Sequence, residues 1–145
     1  MKVALGSDHG GWALKGEIIK LLDEKGIEYK DFGCYSTESC DYPIYGEAAA
    51  RAVASGEYEF GIVICTTGIG ISIAANKVKG IRCAHCADTL EAQLCRQHNN
   101  ANMLALGAGF TGPKLACAMA ETFLSTEFLG GRHARRVSEL DAIEP

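Results

Sequence analysis

Short segments of strand length alternate with longer amphipathic segments along the whole chain. The pattern predicts strands at residues 3–6, 28–32, 60–65, 81–86 and 103–106. Between them, apolar residues recur with the helical period and predict helices at residues 12–25, 44–55, 71–77, 89–97, 113–124 and, last, about 132–143. The turn-rich residues 33–43 predict a loop.

Strands that alternate with helices in this way are typical of an α/β fold. We predict a single Rossmann-like domain, with a five-stranded parallel sheet flanked by helices and a C-terminal helix. The segment 60–65 is apolar at every position except its glycine, which favours a central strand covered on both faces. Ligands of such sheets bind beyond the carboxyl ends of the strands. That rule selects residues 7–11, 65–70 and 107–109 as candidates for chemistry.

The composition agrees with one globular domain and excludes several classes of protein. The chain has 145 residues, of which 48% are hydrophobic and 22% charged. A formal charge of −4 argues against general binding of nucleic acids. No apolar run approaches the roughly 18 residues of a membrane span, and the start of the chain does not resemble a signal peptide. The seven cysteines are an odd number and are interpreted as reduced thiols, so we expect a cytoplasmic protein.

The loop Cys65-Thr66-Thr67-Gly68-Ile69-Gly70 leads from the central strand into a helix. The first N–H groups of a helix have no intrahelical partner, and such a turn can bind an anion or an oxyanion. Two alternatives stay open: a tight connection without a ligand, and part of a dinucleotide-binding motif with Asp88 on a ribose. Against the second, position 73 is isoleucine rather than a small residue.

Two groups at the carboxyl edge could transfer protons. Cys65 ends its strand beside a helix N-terminus, where a thiolate could act as nucleophile or base, although a buried apolar cysteine is the common alternative. Asp8 and His9 follow the first strand and form a candidate acid–base or ligand-orienting pair. Asp8 could also simply cap the next helix.

Two further candidates lie near helix ends. His98 and Asn99 end the helix before the last strand, at the opposite edge of the sheet, so a catalytic His98 would have to reach the pocket of a neighbouring subunit. Their alternative role is to terminate the helix. Arg132 and Arg136 share one helix face and could clamp a phosphate, or could form a solvated basic face.

A metal site is disfavoured by the strand pattern. Cys83, His85 and Cys86 are close in sequence, with Cys95 and His98 downstream. Alternation along a strand directs Cys83 and Cys86 to opposite faces of the sheet, which makes a shared tetrahedral site hard to build. We therefore predict no metal.

Five sequence motifs together resemble the type B ribose-5-phosphate isomerases, a family that includes galactose-6-phosphate isomerase subunits and allose-6-phosphate isomerases. The motifs cover almost the whole chain and occupy residues 6–11, 41–43, 64–77, 96–99 and 130–133. The resemblance implies an aldose–ketose isomerase that acts on a sugar phosphate without metal or cofactor. It also implies a homodimer, or a tetramer, in which each pocket is shared between two subunits.

The resemblance also implies the catalytic roles. Cys65 would be the base that moves a proton between C1 and C2 through a cis-enediolate, with the backbone amides of residues 66–70 holding the developing oxyanion. His98, helped by Asp8 and Thr67, would open the furanose ring.

The same resemblance implies the substrate-binding residues. Tyr42 and Asn99 would bind sugar hydroxyls, and His9, Arg132 and Arg136 would bind the phosphate. The remaining substrate contacts would come from Asp8 and from Thr66, Thr67, Gly68, Ile69 and Gly70.

Three positions bear on the substrate and the base. Thr66 stands where relatives commonly have glycine, and Gly109 stands where ribose-type members commonly have a phosphate-binding arginine. Another branch of the family places a glutamate base at the position of Ile71. We expect ribose 5-phosphate as the substrate, with a six-carbon aldose phosphate as the alternative.

Overall fold

The computed structural model describes residues 1–143, in which five strands alternate with six helices. The strands are β1 (Lys2–Ser7), β2 (Glu28–Asp31), β3 (Phe60–Cys65), β4 (Cys83–His85) and β5 (Met103–Gly107). The helices are α1 (Trp12–Lys25), α2 (Tyr42–Ala54), α3 (Ile69–Asn76), α4 (Thr89–Asn99), α5 (Pro113–Ser125) and α6 (Arg132–Asp141). Within this part of the chain, no helix combines the length and the apolar character needed to span a bilayer.

All strand pairs are parallel, and the order across the sheet is β2-β1-β3-β5-β4. The predicted α/β fold with a five-stranded parallel sheet and a C-terminal helix is confirmed. From β1 the chain first moves outward to β2 and then back across β1 to β3. This change of direction creates a crevice at the carboxyl ends of β1 and β3, where ligands of open α/β sheets bind.

The core consists of two layers, one on each face of the sheet. Leu5, Ile62 and Leu106 lie in the layer that includes apolar residues of α1, α4 and α5. Val63 and Ala105, their neighbours along the strands, lie in the layer that includes residues of α2 and α3. Every residue of β3 is buried, which confirms its predicted central place.

Several predicted element bounds are wrong by one or two residues. Tyr42, predicted in a loop, begins α2, because Pro43 fits the first turn of a helix. Ile69 and Gly70, also predicted in a loop, form the first turn of α3, because Gly68 (φ 79°) makes the sharp turn immediately before them.

Strand β4 is shorter than predicted, and side-chain amides form part of the hydrogen bonding around it. The Asn102 Oδ1 atom accepts the Arg82 N–H at 2.8 Å, just before the strand begins. On the open edge, Asn76 Oδ1 accepts the Cys83 N–H at 2.8 Å, and Asn76 Nδ2 donates to the Cys83 carbonyl oxygen at 2.9 Å. One asparagine therefore satisfies both main-chain groups of Cys83.

A buried lysine joins α1 to the end of β2 and to the loop that follows it. Lys15 is 1% exposed, and its ammonium donates to Asp31 Oδ1 at 2.8 Å and to the Cys34 carbonyl oxygen. A buried charge is tolerated when it is paired and hydrogen-bonded, as here. The pair holds the start of the loop that leads to Tyr42.

Alanine substitutions at two glycines near the start of α1 should have opposite effects on stability. A Cβ at Gly11 would lie 2.4 Å from the Ile64 carbonyl oxygen, whereas a Cβ at Gly16 meets nothing within 4 Å. We expect Gly16→Ala to stabilise the protein by about 0.5–1 kcal/mol, because alanine is the better helix former. Gly11→Ala should destabilise it by about 1–3 kcal/mol, because backbone must move. Urea unfolding of both variants is the measurement, and equal midpoints would contradict the described approach of Gly11 to β3.

Candidate active site

Cys65 is the last residue of β3 and lies at the N-terminal end of α3. Its side chain is 4% exposed, and its Sγ atom accepts the Gly68 N–H at 3.1 Å. The Oγ1 atom of Thr67, which is half-buried, lies 4.0 Å from the same sulfur. The thiol is thus held under the glycine-rich loop, with Thr67 as the neighbour that reaches solvent.

The loop after Cys65 keeps some of its amides unpaired. The Gly68 N–H is used by the Cys65 sulfur, and the Ile69 N–H donates to Thr67 Oγ1 at 3.1 Å. Within residues 1–143, the N–H groups of Thr66, Thr67 and Gly70 donate to no protein acceptor. Fewer amides are therefore available to an anion than the sequence predicts for residues 66–70.

Asp8 and His9 lie at the end of β1, next to β3. Asp8 is 7% exposed, its N–H donates to the Ile64 carbonyl oxygen at 3.2 Å, and its Oδ1 atom accepts the Gly11 N–H at 3.1 Å. Asp8 therefore shapes the turn before α1, but it does not cap the helix as the alternative supposed, because Gly11 precedes the first turn and no side chain caps it. His9 is exposed, and its Nδ1 atom accepts the Cys40 N–H at 3.2 Å. With Nδ1 used as an acceptor, Nε2 carries the proton of a neutral ring and is the nitrogen left for a ligand.

Tyr42 belongs to the same part of the molecule. A Cβ at Gly70 would lie 2.6 Å from Tyr42 Cζ, so the phenol ring rests on the first turn of α3. We call Asp8, His9, Tyr42 and residues 65–70 the carboxyl-edge cluster.

Thr66 and Gly109, the two departures from the family pattern, touch each other. The Gly109 N–H donates to the Thr66 carbonyl oxygen at 2.8 Å. A Cβ at Gly109 would lie 3.1 Å from Thr66 Cγ2 and 3.0 Å from the Thr66 oxygen. A larger residue at position 109 would therefore crowd the threonine at position 66, which makes the two departures physically linked.

A second cluster is formed by residues near the end of α4 and the start of α6. His98 stacks on His133, with ring centroids 4.4 Å apart and planes 12° from parallel. Partial burial, followed by the charges of His98, Arg132 and Arg136, lowers the pKa of His133 below its ordinary value of 6.5. We call His98, Asn99, Arg132, His133 and Arg136 the helix-end cluster.

Two arginines that the sequence analysis does not single out anchor this cluster. Arg82 donates from Nε to the Asn99 carbonyl oxygen at 3.1 Å and from Nη1 to Asp141 Oδ1 at 2.8 Å, which ties α4 to α6. Arg96 is 7% exposed and donates from Nη1 to the Ala101 carbonyl oxygen at 2.6 Å. From the sequence alone, an arginine that anchors neighbouring elements cannot be distinguished from an arginine whose side chain is solvated.

The two clusters lie at opposite edges of the sheet within one chain. The end of α4 leads to Asn102, whose carbonyl oxygen accepts the Gly61 N–H at 3.0 Å near the start of β3. Cys65 ends the same strand, which places it about 13 Å further along at the usual rise per residue. The predicted position of His98 at the amino edge is confirmed, and the single chain does not bring His98 to Cys65.

The residues that suggested a nucleotide site or a metal site have structural roles. Asp88 caps α4, accepting the Glu91 N–H at 2.7 Å, which accounts for it without a nucleotide. Cys83 packs with the layer under α2 and α3, and Cys86 packs with the opposite layer, as strand alternation predicts. Burial raises the pKa of the Cys83 thiol. Within residues 1–143, no three His, Cys, Asp or Glu side chains are placed to hold a metal ion.

Two surface clefts lie beside the clusters. One of about 470 Å³ is lined by Asn99, Arg82 and Lys79 among others, next to the helix-end cluster. The other, of about 520 Å³, is lined by Gly10 and Gly109, next to the carboxyl-edge cluster. Cys65 lines neither cleft.

Known proteins resemble this chain over nearly its full length. The profile of the Ribose/Galactose Isomerase family matches residues 3–140. Ribose-5-phosphate isomerase B of Escherichia coli (strain K12) is 49% identical over 143 residues, covering 99% of this chain and 96% of that protein. D-erythrulose-4-phosphate isomerase of Pectobacterium atrosepticum is 40% identical over 145 residues, covering 99% and 95%.

The fold of this chain also matches that of a solved structure. The solved structure of Clostridium thermocellum ribose-5-phosphate isomerase B is 53% identical, with a TM-score of 0.98, and the match covers 99% of this chain and 97% of that one. Both the predicted resemblance and the predicted fold are confirmed by these matches. The chain belongs to the ribose/galactose isomerase family.

Proposed function

We propose that this protein is an aldose–ketose isomerase that interconverts ribose 5-phosphate and ribulose 5-phosphate. The observation that carries the proposal is the Cys65 sulfur, held at the end of β3 by the Gly68 N–H at 3.1 Å, beside the unpaired amides of Thr66, Thr67 and Gly70. Membership of the ribose/galactose isomerase family supports the substrate class.

The proposed isomerisation requires a base and an oxyanion site. Cys65, as thiolate, takes the proton from C2 of the open-chain aldose and returns it to C1, while the hydroxyl proton moves from O2 to O1. Negative charge develops on oxygen in the enediolate between these steps. Backbone N–H groups already aimed at that oxygen stabilise it without reorganising, and such donors typically contribute 10²–10³-fold in rate.

The thiolate and the amides supply both functions from the chain itself, so the proposed reaction uses neither metal nor coenzyme. The same thiol would be lost by oxidation, and seven unpaired cysteines suit a reducing compartment. We therefore place the reaction in the cytoplasm.

The remaining groups come, in our proposal, from a second copy of the chain. His98 must approach the sugar ring to move protons during ring opening, together with Asp8 and Thr67, but it lies at the far edge of its own sheet. A homodimer with a pocket shared between subunits brings the helix-end cluster of one protomer to the carboxyl-edge cluster of its partner. A tetramer would contain the same pair.

Exposed apolar side chains in and beside the carboxyl-edge cluster support this assembly. Ile69 and Ile73 are 53% and 55% exposed and lie one turn apart on α3, and Ile44, at the start of α2, is 60% exposed. Exposed apolar residues near a candidate site are consistent with a surface that contacts another chain.

The substrate's phosphate is assigned to His9 and to Arg132 and Arg136 of the second protomer. Arg135 forms an ion pair with Glu139 at 3.9 Å, whereas Arg132 and Arg136 make no ion pair within residues 1–143. Two exposed guanidinium groups on one helix face match a dianionic phosphate. Tyr42 and Asn99, both exposed, would bind the sugar hydroxyls.

The identity of the sugar phosphate needs a test of its own, because Thr66 and Gly109 at the carboxyl edge differ from the residues common in ribose-type relatives. Turnover should be compared on ribose 5-phosphate, D-erythrulose 4-phosphate and allose 6-phosphate with the wild-type protein. We expect the highest kcat/KM with ribose 5-phosphate. A higher value with the six-carbon sugar would favour the alternative substrate, and no turnover on any of them would overturn the proposed function.

Cys65→Ala should lower kcat by about 10²–10⁴-fold and change KM little, because a general base acts in the transition state. Cys86→Ala is the matched control, since Cys86 is 3% exposed and Cys65 is 4% exposed, but Cys86 lies in the opposite core layer. Steady-state kinetics on the same substrate provide the comparison. Wild-type kcat in the Cys65 variant would mean that another group is the base.

Mixing two inactive variants tests the shared pocket. A heterodimer of Cys65→Ala and His98→Asn protomers contains one pocket with both groups intact and one with neither. Random exchange of subunits should therefore restore about one quarter of the wild-type rate. Unmixed variants provide the baseline, and a mixture no more active than that baseline would contradict a pocket shared between subunits.

The pKa of His133 should depend on the charges around it. Its lowered pKa means that the neutral ring is favoured in the folded protein, so its contribution to stability is present above pH 6.5 and is lost as the pH falls through the lower folded value. We expect Arg136→Gln to raise the pKa of His133, measured by NMR of the imidazole protons. Arg135→Gln is the control, because Arg135 is not among the causes of the shift and pairs with Glu139. Equal shifts in both variants would contradict the described arrangement.

A further inference from the structure

The side chain of Thr66 is wedged between two glycines from different loops. A Cβ at Gly10, in the loop after β1, would lie 2.2 Å from Thr66 Oγ1. A Cβ at Gly109, in the loop after β5, would lie 3.1 Å from Thr66 Cγ2. The hydroxyl therefore abuts one loop and the methyl group abuts the other, and Thr66 spans the carboxyl ends of β1, β3 and β5.

Thr66 is also the first residue of the loop that follows Cys65, and it is exposed. The unpaired N–H groups of Thr66 and Thr67 belong to this residue and the next, so a sugar bound to them would lie close to the threonine side chain. In the proposed site, Thr66 would therefore lie between the sugar and the two glycines.

The cleft of about 520 Å³ opens on the far side of these glycines. Its lining includes Gly10 and Gly109 but not Thr66, and the rest of the lining consists of Ala13, Leu14, Glu17, Ala108, Phe110, Thr111, Gly112 and Pro113. No lysine, arginine or histidine lines it, and Glu17 adds a carboxylate. Such a lining disfavours a phosphate and suits a neutral, hydroxylated carbon.

We propose that Thr66 determines the length of sugar phosphate that the enzyme accepts. Its side chain closes the gap between the loop that follows Cys65 and this cleft, and so excludes the additional hydroxymethylene group of a six-carbon sugar. The inference rests on the proposed function, because it takes residues 66–70 as the place where the sugar binds. The bulk of the side chain, rather than its hydroxyl, is the discriminating property.

Substitution at position 66 separates shape from hydrogen bonding. Thr66→Ala removes both branches of the side chain, whereas Thr66→Val keeps the shape and removes only the hydroxyl. The readout is the ratio of kcat/KM for allose 6-phosphate to that for ribose 5-phosphate. We expect the ratio to rise about 10-fold or more in Thr66→Ala, the usual size of discrimination by one carbon unit, and to stay within about 3-fold of wild type in Thr66→Val.

A stability measurement tests the wedge without reference to activity. Gly10→Ala should lower the urea midpoint, because its Cβ would overlap Thr66 Oγ1, and Thr66→Ala in the same chain should restore most of the loss. Gly11→Ala is the control, because its Cβ meets the main chain of Ile64 and no change at position 66 can relieve it. If Thr66→Ala does not restore the stability of Gly10→Ala, or restores that of Gly11→Ala equally, then Thr66 is not wedged against Gly10 as described.

The outcomes distinguish this inference from the proposed function. Turnover of ribose 5-phosphate by the wild-type enzyme, with an unchanged ratio in Thr66→Ala, overturns the inference alone. An equal rise in Thr66→Ala and Thr66→Val also overturns it, because the hydroxyl would then be the discriminating group. If the wild-type enzyme turns over no sugar phosphate, the proposed function fails and this inference fails with it.

Discussion

Main-chain hydrogen bonds continue past the carboxyl ends of β3 and β5, and the arrangement of the candidate site depends on them. The Ala108 N–H donates to the Cys65 carbonyl oxygen at 2.9 Å, and the Gly109 N–H donates to the Thr66 carbonyl oxygen at 2.8 Å. On the other side, Asp8 is bonded to β3 in the same manner. Loops held this closely leave little room for side chains, which is why glycine recurs there. Among the side chains that remain, Cys65 and Thr67 are each held by a main-chain N–H, that of Gly68 and that of Ile69 respectively.

Much of the fold could be predicted from the sequence, because strands and helices leave periodic patterns. The apolar segment 60–65 indicated a strand buried on both faces, and parallel topology then directed attention to residues 7–11 and 65–70. The contact of Thr66 with Gly10 and Gly109 could not be predicted, since it joins three loops that are distant in sequence. The stacking of His98 on His133 could not be predicted either, because it depends on how α6 packs against α4.

The degree of burial of Cys65 is another property that a single sequence does not reveal. The strand end and the glycine-rich loop indicated a thiol near a helix N-terminus, and the structure places it there. Its low exposure arises from the packing of α2 and α3 over that face of the sheet. In the proposed mechanism, a base that water reaches poorly is protected from solvent protons, at the cost of needing the substrate to enter deeply.

In the homodimer that we propose, the two clusters at opposite edges of one sheet link catalysis to assembly. Side chains that anchor the helix-end cluster, such as Arg82 and Arg96, act on the proposed pocket of another protomer rather than on their own. A substitution there would reach catalysis through the second subunit.

The asparagine on the open edge of β4 bears on how copies of the chain can meet. Because Asn76 occupies both outward main-chain groups of Cys83, an incoming strand finds no free donor or acceptor at that residue. One amide thus prevents a further strand from pairing with the sheet at Cys83. A contact between copies at this residue would therefore have to use side chains rather than main-chain hydrogen bonds.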